Sequence, residues 1–197
     1  MILDFDESPF GRPMSVEAGE WIDDDFQFMG VTVTAFNATP GHPQKAILFN
    51  SEAPTGEDDD LITPGTGTNN TDPLGKVLII AEDDIDMNMD GLVDDPEDES
   101  GGGQITFDFD EDVTFLGTSV LDVDGTERDV FEFFNSAGDR IGRPLEIGSL
   151  GDNSVQFLSP AEPIRGVRRI NINLTGSGAL ARLRWCPDSN AGTAQTP

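Results

Sequence analysis

Gln104-Ile105-Thr106-Phe107-Asp108-Phe109-Asp110 alternates without interruption, placing Ile105, Phe107 and Phe109 on one face and Thr106, Asp108 and Asp110 on the other. An extended chain points successive side chains to opposite sides, so the pattern describes a strand with one face in a core and one in water. The signature recurs along the chain. Residues 167–174 set Ile170, Ile172 and Leu174 against Asn171 and Asn173, and residues 179–185 set Ala181, Leu183 and Trp185 against Arg182 and Arg184. Runs at 2–6, 31–36, 46–49, 77–80, 113–115, 119–123, 129–135 and 154–158 read as strands as well. Gly, Pro, Asn and Asp join them, and no segment carries a convincing helical period. Roughly nine or ten strands of this kind predict an all-β protein, a two-sheet antiparallel β-sandwich of jelly-roll-like form. The length suits a single sandwich domain over residues 1–186, followed by a flexible polar C-terminal tail at 187–197.

One stretch between strands has a different character. Asp86-Met87-Asn88-Met89-Asp90-Gly91-Leu92-Val93-Asp94-Asp95-Pro96-Glu97 reads D-x-N-x-D-G-x-x-D-x-x-E, the pattern of an EF-hand calcium loop. Asp86, Asn88 and Asp90 supply oxygens at positions one, three and five. Gly91 releases the turn, Leu92 offers its carbonyl at seven, Asp94 stands at nine and Glu97 closes the shell at twelve. The spacing fits Ca²⁺ because that ion takes about six to eight hard oxygens, which alternate residues of a tight loop can aim inward. An apolar strand pattern precedes the loop, and Ser100-Gly101-Gly102-Gly103 follows it, so the expected setting is a calcium loop between strands, holding a structural ion.

Composition narrows the function. The chain has 38 acidic residues against 11 Lys and Arg, a formal net charge of −27. Such a surface is repelled by nucleic acid phosphates and anionic lipid, and it suits divalent cations or a salty medium. No twenty-residue apolar run is present, so no transmembrane helix is expected, and the first residues do not read as a signal peptide. Cys186 is the single cysteine, which excludes an intrachain disulfide and leaves a small buried strand-end residue or an interchain bridge. His42, the single histidine, sits in Pro40-Gly41-His42-Pro43 and reads as a loop residue. With one His and one Cys, most zinc sites and nucleophile relays are excluded unless His42 is the base.

Residues 51–75 form a long Thr-, Gly-, Pro- and Asn-rich loop, a length that marks a functional or mobile segment. Its Glu57, Asp58 and Asp60, with Asp122 and Asp124 from Leu-Asp-Val-Asp-Gly, are candidates for a second calcium site. Asp23-Asp24-Asp25 and Asp152-Asn153-Ser154 are further acidic turns. Each such cluster also reads as an ordinary solvated face. Paired carboxylates raise glycoside hydrolysis, but none sits in an evidently apolar setting that would raise its pKa.

Several motifs taken in order resemble secreted β-sandwich domains of environmental and marine bacteria, which often carry a C-terminal surface-sorting signal. They are Phe49-Asn50-Ser51 with the acidic run to Leu61, Val77-Leu78-Ile79-Ile80-Ala81-Glu82, Gly103 to Phe107, Leu121-Asp122-Val123-Asp124, Gly151 to Ser154, and Leu174 to Ala179. The likeness covers roughly residues 45–186. It implies export and a calcium-dependent sandwich, without a specific activity; no sorting helix follows Cys186.

The leading expectation is therefore a non-catalytic, extracellular, calcium-stabilised structural or adhesive module, a subunit of a cell-surface or matrix assembly that self-associates. The alternative is a carbohydrate-binding module that uses Asn171, Asn173, Arg182 and Arg184 on an exposed face, with Trp21 or Trp185 stacking on a surface glycan. A glycoside-active enzyme ranks third.

Overall fold

The computed structural model describes residues 1–7, 13–56, 58–123 and 129–188. Glu57, Asp124 and residues 189–197 of the expected tail lie outside the described residues. The strands are β1 (Ile2–Leu3), β2 (Trp21–Ile22), β3 (Val31–Asn37), β4 (Ala46–Asn50), β5 (Lys76–Ile80), β6 (Gly103–Leu121), β7 (Val130–Phe134), β8 (Arg140–Glu146), β9 (Val155–Leu158), β10 (Ile164–Leu174) and β11 (Ala179–Pro187). All pairings between them are antiparallel.

β6 organises the molecule. Its first part, Gly103 to Phe109, lies between β3 and β10; its second, Val113 to Leu121, pairs with β11 and, at Thr118 to Leu121, with β9. The three runs expected at 104–110, 113–115 and 119–123 are thus one 19-residue strand that bends from one layer into the other. Register shifts at Ile164/Val167 and Val167/Arg169 of β10, and at Arg184/Trp185 of β11, lie opposite the bend. Bulges there let the partner strands follow the turn while keeping their ladders. The result is a sandwich: β3, β6, β10, β7 and β8 form one layer, and β2, β4, β5, β11, β6 and β9 the other.

Between the layers lie Ile105, Phe107, Ile170 and Phe133 from the first and Leu48, Leu78, Leu183 and Trp185 from the second. Phe115 packs 4.7 Å from Phe133 and Phe109 meets Trp185 edge-on at 5.5 Å, centroid to centroid. Each such pair contributes roughly 0.5–1.5 kcal/mol beyond its area burial. Trp185 is fully buried, so it is a core residue and offers no stacking surface.

At β4 and β5 the second layer is buried on both faces. Ile47, Phe49, Val77, Ile79 and Ala181 point away from the main core into a smaller one closed by Leu61, Leu74 and Val93. This is why residues 46–49 and 77–80 are apolar throughout: neither face of β4 or β5 meets water. The cover comes from the 51–75 segment and the 86–97 loop. The long loop is therefore an ordered cover, tied by Thr63 N–H to Ser51 O (2.8 Å) and Val155 N–H to Thr68 O (2.9 Å). At Gly67 a Cβ would lie 2.0 Å from Asn153 O, so only glycine allows this close approach of the two segments.

Sequence reading missed β8. Its Gly142 and Pro144 break the alternation, and most of its residues are exposed; an edge strand tolerates both residue types because its outer N–H groups need no partner. β11 continues through Pro187, and Asp188 N–H donates to Asp112 O (3.0 Å), so the sheet takes in the first residues assigned to the tail.

Candidate metal centre

Four carboxylates from three separate segments gather at the covered end of the second layer. Asp58 and Asp60 come from the short 3₁₀ turn region at Asp59–Leu61, Asp98 follows the 86–97 loop, and Asp122 follows β6. Asp122 has a positive φ of 56°, which turns its side chain back into the group. Asp98 Oδ2 accepts hydrogen bonds from Ser177 Oγ (2.7 Å) and from Gly178 N–H. Asp122 Oδ1 accepts from Asn153 N–H (2.6 Å), and its Oδ2 lies 3.2 Å from the same Ser177 Oγ. Asp58 Oδ2 is buried with no hydrogen-bond partner.

Burial and mutual repulsion make Asp58, Asp98 and Asp122 reluctant to ionise. Burial first, then the charges of Asp98 and Asp60, push Asp58 up to about 7. Burial likewise raises Asp122 to about 7, with Asp98 and Asp60 adding to it. Asp98 is raised chiefly by burial, and Asp60 and Glu99 reinforce the effect. Desolvated carboxylates held close together store unfavourable energy, which a divalent ion with hard-oxygen preference relieves. The ion pairs found among the described residues lie elsewhere, at Asp6, Glu99, Asp108, Asp112, Glu132 and Asp188.

This arrangement unites Asp58, Asp60 and Asp122 of the expected second calcium site; its other two members, Glu57 and Asp124, lie outside the described residues. Sequence reading missed Asp98. It sits one position past the EF-hand pattern, and its only signal was the acidic excess of residues 94–99.

The 86–97 loop leaves β5 and docks on the turn before β2. Val93 N–H donates to Gly19 O (2.9 Å), and a Cβ on Gly19, whose φ is +80°, would lie 2.4 Å from Val93 O. The side chains of the first half point inward onto backbone amides. Asp86 Oδ2 accepts from Gly91 N–H (2.9 Å), Asn88 Oδ1 from Asp90 N–H (2.9 Å) and Asp90 Oδ1 from Leu92 N–H (2.9 Å). Asp94 Oδ2 reaches back to Met87 N–H (2.7 Å), and Glu97 O accepts from Glu82 N–H (3.1 Å). Gly91 takes a φ of +92°, a conformation that favours glycine.

Among the described residues, the acidic group whose oxygens all lie within 4.8 Å of one another is Asp23, Asp24 and Asp25, on an exposed turn. A hydrogen bond with Asp23 and its charge raise Asp24 above the usual carboxylate range. His42 also proves to be a partner: its Nδ1 lies 2.7 Å from Glu99 Oε2. Although burial opposes its charge, Glu99 is held below the usual range by donors from Gly101, Thr39, Asn37 and His42.

The residues considered for glycan contact do not form one surface. Asn171 and Asn173 pair opposite Thr106 and Gln104 on the first part of β6, whereas Arg182 and Arg184 pair opposite Ser119 and Gly117 on the second. The bend in β6 puts them on different layers. Trp21 is partly buried under Lys45, whose Nζ stands 5.1 Å from the ring centroid, and it borders the 86–97 loop. The outer face of the first layer is nonetheless an ordered polar grid. Thr32, Asp108, Arg169 and Phe134 share one row, and Thr34, Thr106, Asn171 and Glu132 the next. Arg169 binds Asp108 through two bonds (2.7 and 3.1 Å), and Gln104 Nε2 donates to Asn173 Oδ1 (2.7 Å). Phe36, at the edge of this face, is 59% exposed.

No family model matches the chain, and no curated protein matches it. Among solved structures, the chain is similar to CpGH89CBM32-6 produced by Clostridium perfringens, with 13% identity over 47% of this chain and 73% of that one, at a TM-score of 0.30. No helix among the described residues is long and apolar enough to cross a membrane.

Proposed function

We propose that this chain is a non-catalytic, extracellular structural or adhesive module whose sandwich is held together by calcium. The observation that carries the reading is the gathering of Asp58, Asp60, Asp98 and Asp122, two of which (Asp98 and Asp122) share one serine hydroxyl, with an orphaned oxygen on Asp58. A cation there joins the 51–75 cover to the end of β6 and to the segment entering it. A second ion in the 86–97 loop, held by Asp86, Asn88, Asp90, Leu92, Asp94 and Glu97, fixes the other part of the cover. Both ions then act on the smaller core, since Leu61 and Val93 belong to the covered segments. Raised carboxyl pKa values also accompany catalytic acids. Here, however, clefts of about 580, 530, 400 and 280 Å³ are lined by other residues, and Asp98 and Asp122 are buried. Calorimetric titration of the chelated protein with CaCl₂ tests the reading. Saturable binding with a rise in melting temperature supports it, and no binding at millimolar calcium sinks it.

A second reading, binding of a surface glycan, is favoured by the polar grid on the first layer. Amide, carboxylate and guanidinium groups held at strand spacing offer both donors and acceptors to sugar hydroxyls, and exposed Phe36 offers a ring face. A glycan array probed with the protein and with Asn171→Ala/Asp108→Ala tests this. Equal signals from the two would remove the grid from consideration.

A further inference from the structure

Three residues at alternate positions of the 86–97 region stand out from the surface. Met87 is 82% exposed, Met89 88% and Ile85 52%. Their orientation follows from the loop: Asp86, Asn88 and Asp90 turn inward onto the amides of Asp90, Gly91 and Leu92, so the residues between them turn out. The two methionines are thus the tip of an intensely acidic knob. Residues 82–98 carry nine carboxylates and no basic residue. The charge remains negative after one divalent ion binds.

The opposite chemistry occurs elsewhere on the chain. A cleft of about 530 Å³ between β8 and the segment entering β10 has Pro144, Leu145, Pro160 and Pro163 in its walls. Arg143 and Arg165 line it as well. Arg143 makes no ion pair among the described residues, and the nearest carboxylate to Arg165, on Asp188, stands 3.9 Å away with the Arg165 side chain 61% exposed. Glu162 is the carboxylate in the lining. Arg143, without an ion pair among the described residues, and Arg165, with only the long contact to Asp188, put positive charge beside an apolar cleft of a strongly acidic chain.

We propose that this cleft receives the 86–97 knob of a second copy of the chain. Flexible thioether side chains fill an irregular apolar cleft well, and the arginines meet the surrounding carboxylates. The knob does not occupy its own cleft, since Met87 and Met89 stand exposed. It docks beside β2, at one end of the strand path, and the cleft lies at β8, at the other end. A contact between different surfaces of identical chains is heterologous, and unless the rotation closes a ring it propagates into an open chain. The knob is small, so a single contact belongs to the weak class of interfaces and requires high concentration. The inference rests on the module reading above only for the ordering of the knob by calcium.

The test is sedimentation velocity of the full chain in millimolar CaCl₂ at rising concentration, with Met87→Ser/Met89→Ser and Arg143→Glu/Arg165→Glu as variants. The wild type should grow into a concentration-dependent series of oligomers. Each variant alone should associate at least tenfold more weakly. An equimolar mixture of the two variants should stop at a heterodimer, because one supplies the only working knob and the other the only working cleft. Arg182→Glu/Arg184→Glu, which changes the net charge equally on β11, should associate as the wild type does. Calorimetric calcium titration of the same samples separates the two readings. A protein that binds calcium yet stays monomeric at every concentration overturns the docking proposal alone. Association of the wild type that neither variant weakens, or that the control weakens equally, overturns it too.

Discussion

Asp98 and Asp122 share one hydroxyl: Ser177 Oγ stands 2.7 Å from Asp98 Oδ2 and 3.2 Å from Asp122 Oδ2. A serine has a single proton to donate, so it satisfies only one of them at a time. The other keeps only a backbone donor, Gly178 N–H at Asp98 or Asn153 N–H at Asp122, which favours a proton or a cation there. That choice makes stability depend on pH in a way that calcium alters. Without the ion, Asp58 and Asp122 titrate near 7 in the folded chain, against 3.8 for an ordinary aspartate. A folded-state pKa raised in this way favours folding at low pH, and the contribution is lost as pH rises from about 4 through about 7. In EDTA the melting temperature should therefore fall between about pH 5 and pH 8. With saturating calcium the fall should flatten or reverse, because the ion takes the place of the protons. Melting curves across that range decide it; parallel slopes with and without calcium would refute the coupling.

Chelation itself should destabilise the protein. An ion that binds only the folded chain, present at a thousandfold its dissociation constant, adds about 4 kcal/mol. For a domain of this size that corresponds to a melting shift of roughly 8–16 °C. Sodium chloride should restore part of the loss by screening the −27 net charge, but it supplies no ligand geometry. A melting temperature indifferent to EDTA would contradict the calcium-stabilised reading.

The two sites should be separable. Asp98→Asn removes a charge from the buried group while keeping its size, and Asp86→Ala with Glu97→Ala empties the exposed loop. Titration calorimetry should show two classes of calcium site in the wild type and one, of different identity, in each variant. In the loop variant the loss should be confined to residues around 83–103, visible as faster amide exchange there. If Asp98→Asn leaves calcium stoichiometry unchanged, the buried group is not a cation site.

The fold was legible in the sequence where one face of a strand meets water. Residues 104–110 and 170–174 alternate because their outer face is the polar grid, and the structure places them in that register. The reading was weaker where both faces are covered: residues 46–49 and 77–80 show no period, so nothing in them revealed the second core under the 51–75 segment. It failed at β8, where an exposed edge removes the pressure for apolar residues. The carboxylates at 58, 60 and 122 were legible as acidic positions beside turns. The burial of Asp122 and the partial burial of Asp58 were not, because they depend on Leu61, Leu74 and Val93 closing over the sheet from distant parts of the chain. Asp98 was hidden for a related reason: its role comes from Ser177 and Gly178, 79 and 80 residues away.

Asn153 should prove the most sensitive single position outside the hydrophobic core. It adopts a φ of +53°, a conformation that asparagine tolerates better than most residues. Its Oδ1 accepts from Thr66 N–H (3.0 Å) and Asn70 Nδ2 (2.8 Å), and its Nδ2 donates to Asp60 O and Ile62 O. Its own N–H donates to Asp122 Oδ1 at 2.6 Å. One side chain thus pins the cover to the turn before β9, and its backbone orients a carboxylate of the buried group. Asn153→Ala leaves several of these buried groups unpaired, each costing roughly 1–3 kcal/mol, so a loss of about 3 kcal/mol is expected. In urea unfolding this should appear as a lower midpoint with an unchanged slope, since the surface exposed on unfolding stays the same. The same variant should weaken calcium at the acidic group, because the segment carrying Asp60 loses the amide that holds its carbonyl, and leave the 86–97 loop unaffected. Asn153→Gly, which removes the backbone strain but not the lost bonds, should be no more than slightly better than alanine. Wild-type stability in Asn153→Ala would show that the 51–75 cover is held by its apolar contacts alone.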